Sequence, residues 1–147
     1  MFLGNFPLKV DGKNRVVVPP LFREILNQHY TDDNNNVVMT ISMEKTIAVY
    51  PTSSFDSYSD KLMQRPQFKS NVRALTNTVT MSSSIEKLDS AGKIALKDFI
   101  KRVTGIDKDV YVVGCGDHFE IWPKERFEDY INKHIQQLSE LGDKMDQ

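Results

Sequence analysis

Cysteine is nearly absent from this chain. Cys115 stands alone among 147 residues, so no internal disulfide can form, which favours a reducing compartment. Long apolar runs are also missing, and none approaches the roughly 18–20 residues that a membrane-spanning helix needs. Met1–Asn14 lacks the basic-then-apolar order of a signal peptide. Neither sign of charge dominates: 19 basic and 20 acidic side chains give a net charge of −1. That argues against a monomer that coats nucleic acid nonspecifically, although local basic patches remain compatible with it. Glycine is scarce. Gly114-Cys115-Gly116 is too short for a phosphate loop, and no Walker-type lysine follows it. His29, His118 and His134 show no metal-ligand spacing, so neither a metal site nor a cofactor is expected. Cys115, Asp117 and His118 fall within one turn, an arrangement that rarely builds a catalytic relay. No paired carboxylates stand out. The expectation is therefore a non-enzyme without catalytic residues.

The composition present, 39% apolar and 27% charged, suits a soluble chain with a core. Its length suits one compact domain or two half-domains sharing that core, since each half alone lies near the lower limit of independent stability. Charge is unevenly spread. Lys9, Lys13, Arg15 and Arg23 cluster early, and Lys87, Lys93, Lys97, Lys101 and Arg102 cluster after the middle. The tail is acidic, with Glu125, Glu128, Asp129, Glu140, Asp143 and Asp146.

The chain repeats itself. Val10-Asp11-Gly12-Lys13-Asn14-Arg15-Val16 lies over Leu88-Asp89-Ser90-Ala91-Gly92-Lys93-Ile94, with Asp11 on Asp89 at an offset of 78. Downstream, Thr46–Pro51 lies over His118–Pro123 at an offset of 72, and Phe55 and Tyr58 then match Phe127 and Tyr130. The polar loop Tyr30–Asn36 accommodates the extra residues of the first copy. Such a period over a full supersecondary unit marks a duplicated architecture.

Each copy reads in the same order. A strand pair flanks the Asp turn: Leu8–Val10 with Val16–Val18, and Ile85–Leu88 with Lys93–Leu96. A short helix follows. Pro20 suits its first turn, with Leu21, Phe22, Ile25 and Leu26 as the buried face; Phe99, Ile100 and Val103 match them, and Gly105 ends the second copy's helix. A second strand pair comes next, Val37–Ile41 with Thr46–Tyr50 and Val110–Val113 with Phe119–Trp122. Pro51 and Pro123 then stop the strand and a helix begins, with Thr52 or Ser53 as a candidate cap of the first. Phe55, Tyr58 and Leu62 form one apolar stripe, and Phe127, Tyr130, Ile131 and Leu138 the other. Both stripes read as core rather than as a base-stacking platform. The organisation is thus an α+β chain with a first repeat over 1–64, a connector over 65–84 and a second repeat with a C-terminal helix over 85–141. Within the connector Val72, Leu75 and Val79 suit a short helix, Thr76–Ser84 reads as an extended link, and the tail beyond Leu141 is expected to fray.

The Asp turn carries the chemistry. Its carboxylate can accept backbone N–H groups or pair with the basic residue four positions on, and either arrangement aims that cation. A β-ribbon fits the major groove, where an arginine fork matches guanine O6 and N7. Lys13 and Asn14 are placed to touch phosphates or base edges beside it. The candidate DNA-binding residues are Asp11, Lys13, Asn14 and Arg15, with Asp89 and Lys93 in the second copy.

These residues carry a family resemblance. Met1-Phe2-Leu3-Gly4, Asp11–Pro19 and Phe22-Arg23 resemble the first half of MraZ proteins. Leu88–Ile94, Val112-Val113-Gly114, Glu120-Ile121-Trp122 and Glu125-Arg126-Phe127 resemble the second. The resemblance implies two pseudo-symmetric AbrB-like swapped-hairpin β-barrel halves with flanking helices, and rings of roughly eight to twelve subunits. It also implies a cytoplasmic, nucleoid-associated regulator that binds promoter repeats in double-stranded DNA upstream of the division and cell-wall (dcw) gene cluster. The family's D-x-x-x-R motif is intact at Asp11 and Arg15. At Asp89 and Lys93 a lysine replaces the arginine, keeping the charge but losing the bidentate fork. Pro19 likewise meets Lys97 in the second copy. A dimeric AbrB-like antitoxin or transition-state regulator, or a ring-shaped protein-interaction scaffold, are the alternatives that the residues leave open.

Overall fold

The computed structural model describes residues 1–31 and 35–146. Among them, chain order runs β1 (Asn5–Lys9), β2 (Arg15–Val17), α1 (Pro20–His29), β3 (Asn36–Ile41), β4 (Ile47–Pro51), α2 (Thr52–Met63) and α3 (Ser70–Ser82). It continues β5 (Ser84–Lys87), β6 (Lys93–Ala95), α4 (Asp98–Thr104), β7 (Asp109–Gly114), β8 (Phe119–Pro123), α5 (Lys124–Gln136) and α6 (Leu138–Met145). The fold is α+β, and every strand pairing is antiparallel. No helix among the described residues is long and apolar enough to cross a membrane.

Both offsets of the repeat reappear as local symmetry. Six strands form one sheet in the order β1-β7-β8-β4-β3-β5, which reads the same in either direction when each strand is exchanged for its repeat equivalent. Ala48 faces Glu120 where β4 meets β8, so residues 72 apart meet on the pseudo-twofold axis. β2 and β6 form a separate two-stranded ladder in which Val16 faces Ile94, residues 78 apart. The flanking bonds Val18 N–H to Gly92 O (2.9 Å) and Leu96 N–H to Asn14 O (2.8 Å) are equivalents of each other.

This arrangement differs from the local strand pairs expected around each Asp turn. The arms of each hairpin join only at the tip and then separate. β1 pairs with β7 of the second copy, β5 pairs with β3 of the first, and β2 and β6 pair with each other. The exchange sends Val16, Val18, Ile94 and Leu96 into one core shared with Phe2, Phe22, Met39, Ile47, Phe119 and Ile121. Neither copy could bury these side chains alone, which is the physical reason for the swap.

The helices follow the sequence with several differences. Leu21 is exposed while Phe22 carries the buried face of α1, and Tyr130 is exposed while Phe127 carries that of α5. Thr76–Ser82 continues α3 instead of forming an extended link, with Thr76 and Val79 on its buried side. Pro51 occupies the N-cap of α2, and neither Thr52 nor Ser53 makes a capping hydrogen bond. The tail is helical, and Leu138 is exposed on α6 rather than continuing the buried stripe of α5. On α4 Ile100 is buried while Phe99 and Val103 are largely exposed, because Thr104 takes the inner position instead. The loop assigned to Tyr30–Asn36 has its centre, residues 32–34, outside the described residues.

Candidate nucleic-acid interface

Each tip is a three-residue loop closed by its aspartate. Asp11 Oδ1 accepts the N–H groups of Lys13 and Arg15, both at 2.9 Å. Asn14 N–H donates to Asp11 O at 3.1 Å, and Asp11 N–H donates to Arg15 O at 2.8 Å. The turn needs one residue in the left-handed region. Asn14 fills it at φ 59, and its equivalent Gly92 does so at φ +75; these are the residue types that tolerate that conformation. The second tip repeats the pattern: Asp89 Oδ1 accepts the N–H groups of Ala91 and Lys93, each at 2.9 Å.

The second oxygen of each carboxylate reaches across to the other copy. Lys93 Nζ lies 3.1 Å from Asp11 Oδ2, and Arg15 Nη1 lies 2.9 Å from Asp89 Oδ2. Arg15 Nε also stands 3.4 Å from Asp11 Oδ2, which is the within-copy pairing the spacing allowed, although without hydrogen-bond geometry. So each aspartate shapes its own turn with one oxygen and holds the opposite copy's cation with the other. All four side chains remain between 26% and 34% exposed, open to solvent along one side.

The same contacts fix the charge state. The Arg15 N–H, as the largest influence, holds the Asp11 carboxyl well below the usual carboxylate range. Partial burial opposes this, and Lys93 and the Lys13 N–H reinforce it. Asp89 is lowered for the same reasons, first by the Lys93 N–H, then against burial by the Ala91 N–H and the charges of Arg15 and Lys93. Both groups are therefore anionic at neutral pH, and the four crossed charges cancel.

A second layer of cations surrounds this neutral centre. Lys101 Nζ, on α4, donates to Asn14 Oδ1 at 2.6 Å. Arg23, on α1, packs over Gly92 so closely that a Cβ there would stand 2.5–2.8 Å from its side chain. Arg23 and Lys101 are themselves repeat equivalents, 78 apart, each leaning on the other copy's turn. Neither is among the site residues expected from the turn motif; the offset of 78 was the signal that could have paired them. Lys13 is exposed and has no ion-pair partner among the described residues. Five cations thus stand against two carboxylates, and an overall neutral chain carries a basic patch where its two copies meet.

The six residues expected from the sequence are therefore brought together in one place. Arg15 and Lys93 are oriented rather than free, and the guanidinium Nη2 of Arg15 has no partner among the described residues. That end of the fork remains able to donate outward.

Comparisons with known proteins address both halves. The family described as "MraZ protein, putative antitoxin-like" matches residues 1–78 and 83–147. A protein of Mycobacterium ulcerans (strain Agy99), named transcriptional regulator MraZ, is 29% identical over 143 residues, covering 97% of this chain and 95% of its own. A relative of the same name from Natranaerobius thermophilus is 32% identical over 130 residues, covering 88% and 86%. Another, from Lactobacillus delbrueckii subsp. bulgaricus, is 29% identical over 146 residues, covering 99% and 97%. With both halves matched and the duplicated Asp turn in place at their junction, this chain belongs to the MraZ family.

Proposed function

We propose that this protein is a transcriptional regulator that binds double-stranded DNA through its paired tips. The names of its relatives support regulation of transcription. The cross-locked tips carry the reading: equivalent cations, Arg15 and Lys93, stand side by side across a pseudo-twofold axis and are aimed by carboxylates. Lys13 and the outer pair Arg23 and Lys101 supply phosphate contacts that fix register, and Arg15 supplies base contact. Lys93 lacks the planar fork and contributes charge more than base reading.

One subunit offers few cations, so its own affinity is weak and falls steeply with salt. A homo-oligomeric ring of roughly eight to twelve subunits would present the same patch repeatedly to repeated boxes, raising avidity by about 10²–10⁴. The repeats upstream of the dcw cluster are the proposed target, and the cytoplasmic nucleoid the place of action. No catalytic step is assigned.

Gel shifts at fixed salt test this reading. Arg15→Ala should abolish preference for a repeat-bearing promoter over random DNA, with the oligomer mass unchanged by light scattering. Arg15→Lys keeps the charge and should retain nonspecific binding only, a loss of about 1–3 kcal/mol of discrimination. Lys93→Ala should weaken binding evenly across sequences. Unchanged promoter preference in Arg15→Ala would remove that residue from the site, and a dimeric mass would favour the antitoxin-like alternative.

A further inference from the structure

A second cluster lies at the other end of β7. The tips adjoin its start, where Lys9 faces Asp109, whereas Cys115 follows its last residue, Gly114. Five to six residues of strand put about 17–20 Å between them, so this cluster serves no contact made by the tips.

Register explains how it forms. Cys115 N–H bonds to His118 O at 2.9 Å and closes a two-residue turn, Gly116-Asp117, in which Gly116 takes φ +88. Val113 faces Glu120 two residues along the same ladder. The pleat therefore sends Cys115, His118 and Glu120 to one side of the sheet. Their ligating atoms all lie within 4.8 Å of one another.

We propose that Cys115 Sγ, His118 Nε2 and Glu120 Oε2 form a binding site for a zinc-class divalent metal ion. A thiolate, an imidazole and a carboxylate are the donor set that such an ion takes, and three protein ligands leave its fourth position for water. Tetrahedral bonds of about 2.0–2.3 Å place neighbouring ligand atoms roughly 3.3–3.8 Å apart, so closing the cluster takes shifts of about 1 Å.

The surroundings are built as outer partners of metal ligands usually are. Asp117 Oδ1 sits 2.7 Å from His118 Nδ1, which fixes the ring and presents Nε2 inward. The Tyr50 ring stacks on the imidazole at 4.3 Å between centroids and 12° between planes. Glu120 Oε1 accepts from Trp122 Nε1 at 2.9 Å and Thr46 Oγ1 at 3.1 Å, leaving Oε2 turned to His118 Nε2 at 2.8 Å. Two ligands are thus held by their outer atoms while their inner atoms converge. Cys115 is exposed, which provides the way in.

The pseudo-symmetry supplies an independent argument. By strand register the equivalents of Cys115, His118 and Glu120 are Ser42, Thr46 and Ala48. The first copy closes its equivalent hairpin, one residue longer in the loop, without a thiol, imidazole or carboxylate at these positions, so the fold does not require them in the second. Sequence spacing concealed the set because Glu120 joins it through strand alternation rather than through a recognisable motif.

Cobalt titration of the chelator-stripped protein tests the proposal. One equivalent of Co²⁺ per chain should give the visible bands of a four-coordinate ion and a thiolate-to-cobalt charge-transfer band, both bleached by Zn²⁺. Cys115→Ser should abolish the charge-transfer band and weaken Zn²⁺ binding at least tenfold. Asp117→Asn should retain the band and lower Zn²⁺ affinity by about 10–100-fold. A six-coordinate cobalt spectrum without charge transfer, or Zn²⁺ affinity unchanged in Cys115→Ser, would overturn it. Because Cys115 is exposed, Cys115→Ser should keep the wild-type mass and circular dichroism, so loss of binding reports the ligand.

Discussion

Gly114→Ala is expected to uncouple the N-terminal strand from the fold. A Cβ at Gly114 would stand 2.4 Å from Phe2 C, Phe2 O and Leu3 N, where ordinary contact is 3.4–4 Å, and backbone atoms cannot rotate aside. The segment must retreat by about 1 Å. Three hydrogen bonds then stretch: Phe2 N–H to Gly116 O (2.7 Å), Gly116 N–H to Phe2 O (3.0 Å) and Gly114 N–H to Gly4 O (2.8 Å). At about 0.5–1.5 kcal/mol net for each, they account for about 2–4 kcal/mol. Phe2 is fully buried, 5.3 Å from the Phe22 ring and 5.4 Å from the Phe119 ring. Partial withdrawal costs a fraction of the 3–5 kcal/mol typical of deleting a buried phenylalanine, about 1–2 kcal/mol. The total, about 3–6 kcal/mol, is a large share of a domain's ordinary 5–15 kcal/mol. Urea unfolding at fixed protein concentration measures it. DNA affinity should fall too, because β1 leads directly into the first tip. Gly142→Ala serves as control: nothing lies within 4 Å of its added Cβ, and in α6 the change should be neutral or stabilising by up to about 1 kcal/mol. A loss below about 1 kcal/mol in Gly114→Ala would refute the close packing of Phe2 on β7.

Lys13→Ala should lower the slope of log affinity against log salt by about 0.9 for each phosphate contact it removes, with sequence preference retained; an unchanged slope would place Lys13 away from the backbone. Gly92→Ala should destabilise the second tip by about 1–2 kcal/mol, since φ is +75 and Arg23 stands in the way, whereas Gly12→Ala has open space around it and should be nearly neutral in thermal melts. The depressed pKa values of Asp11 and Asp89 predict the acid limb. A carboxyl whose folded pKa lies below its unfolded value of about 3.9 contributes stability that is fully present above that value and is lost as pH falls through the folded one. The crossed clamp should therefore survive to below pH ~4, with Asp11 persisting to lower pH than free aspartate. NMR titration of the Lys13, Arg15, Ala91 and Lys93 amides reads this directly, and midpoints near 3.9 would show that the turns are not held as described.

The sequence by itself determined what is local and repeated. Offsets of 78 and 72 were readable as matched residue types, and they return as the two places where the pseudo-twofold axis crosses paired strands. The Asp turn was legible because a carboxylate two and four residues before backbone N–H groups closes the same loop in any context. Strands, prolines and most helices followed from period and capping. Tertiary structure decided which strand met which. A hairpin read along the chain closes on itself, yet β1 and β2 part company, and Val16 and Ile94 are buried in one core to which both copies contribute. That exchange carries Arg15 to Asp89 and Lys93 to Asp11, pairings 74 and 82 residues apart that no local spacing encodes. It likewise lays Arg23 and Lys101 over opposite turns, and strand register gathers Cys115, His118 and Glu120. In each case distance along the chain says nothing about distance in space until the core has chosen its partners.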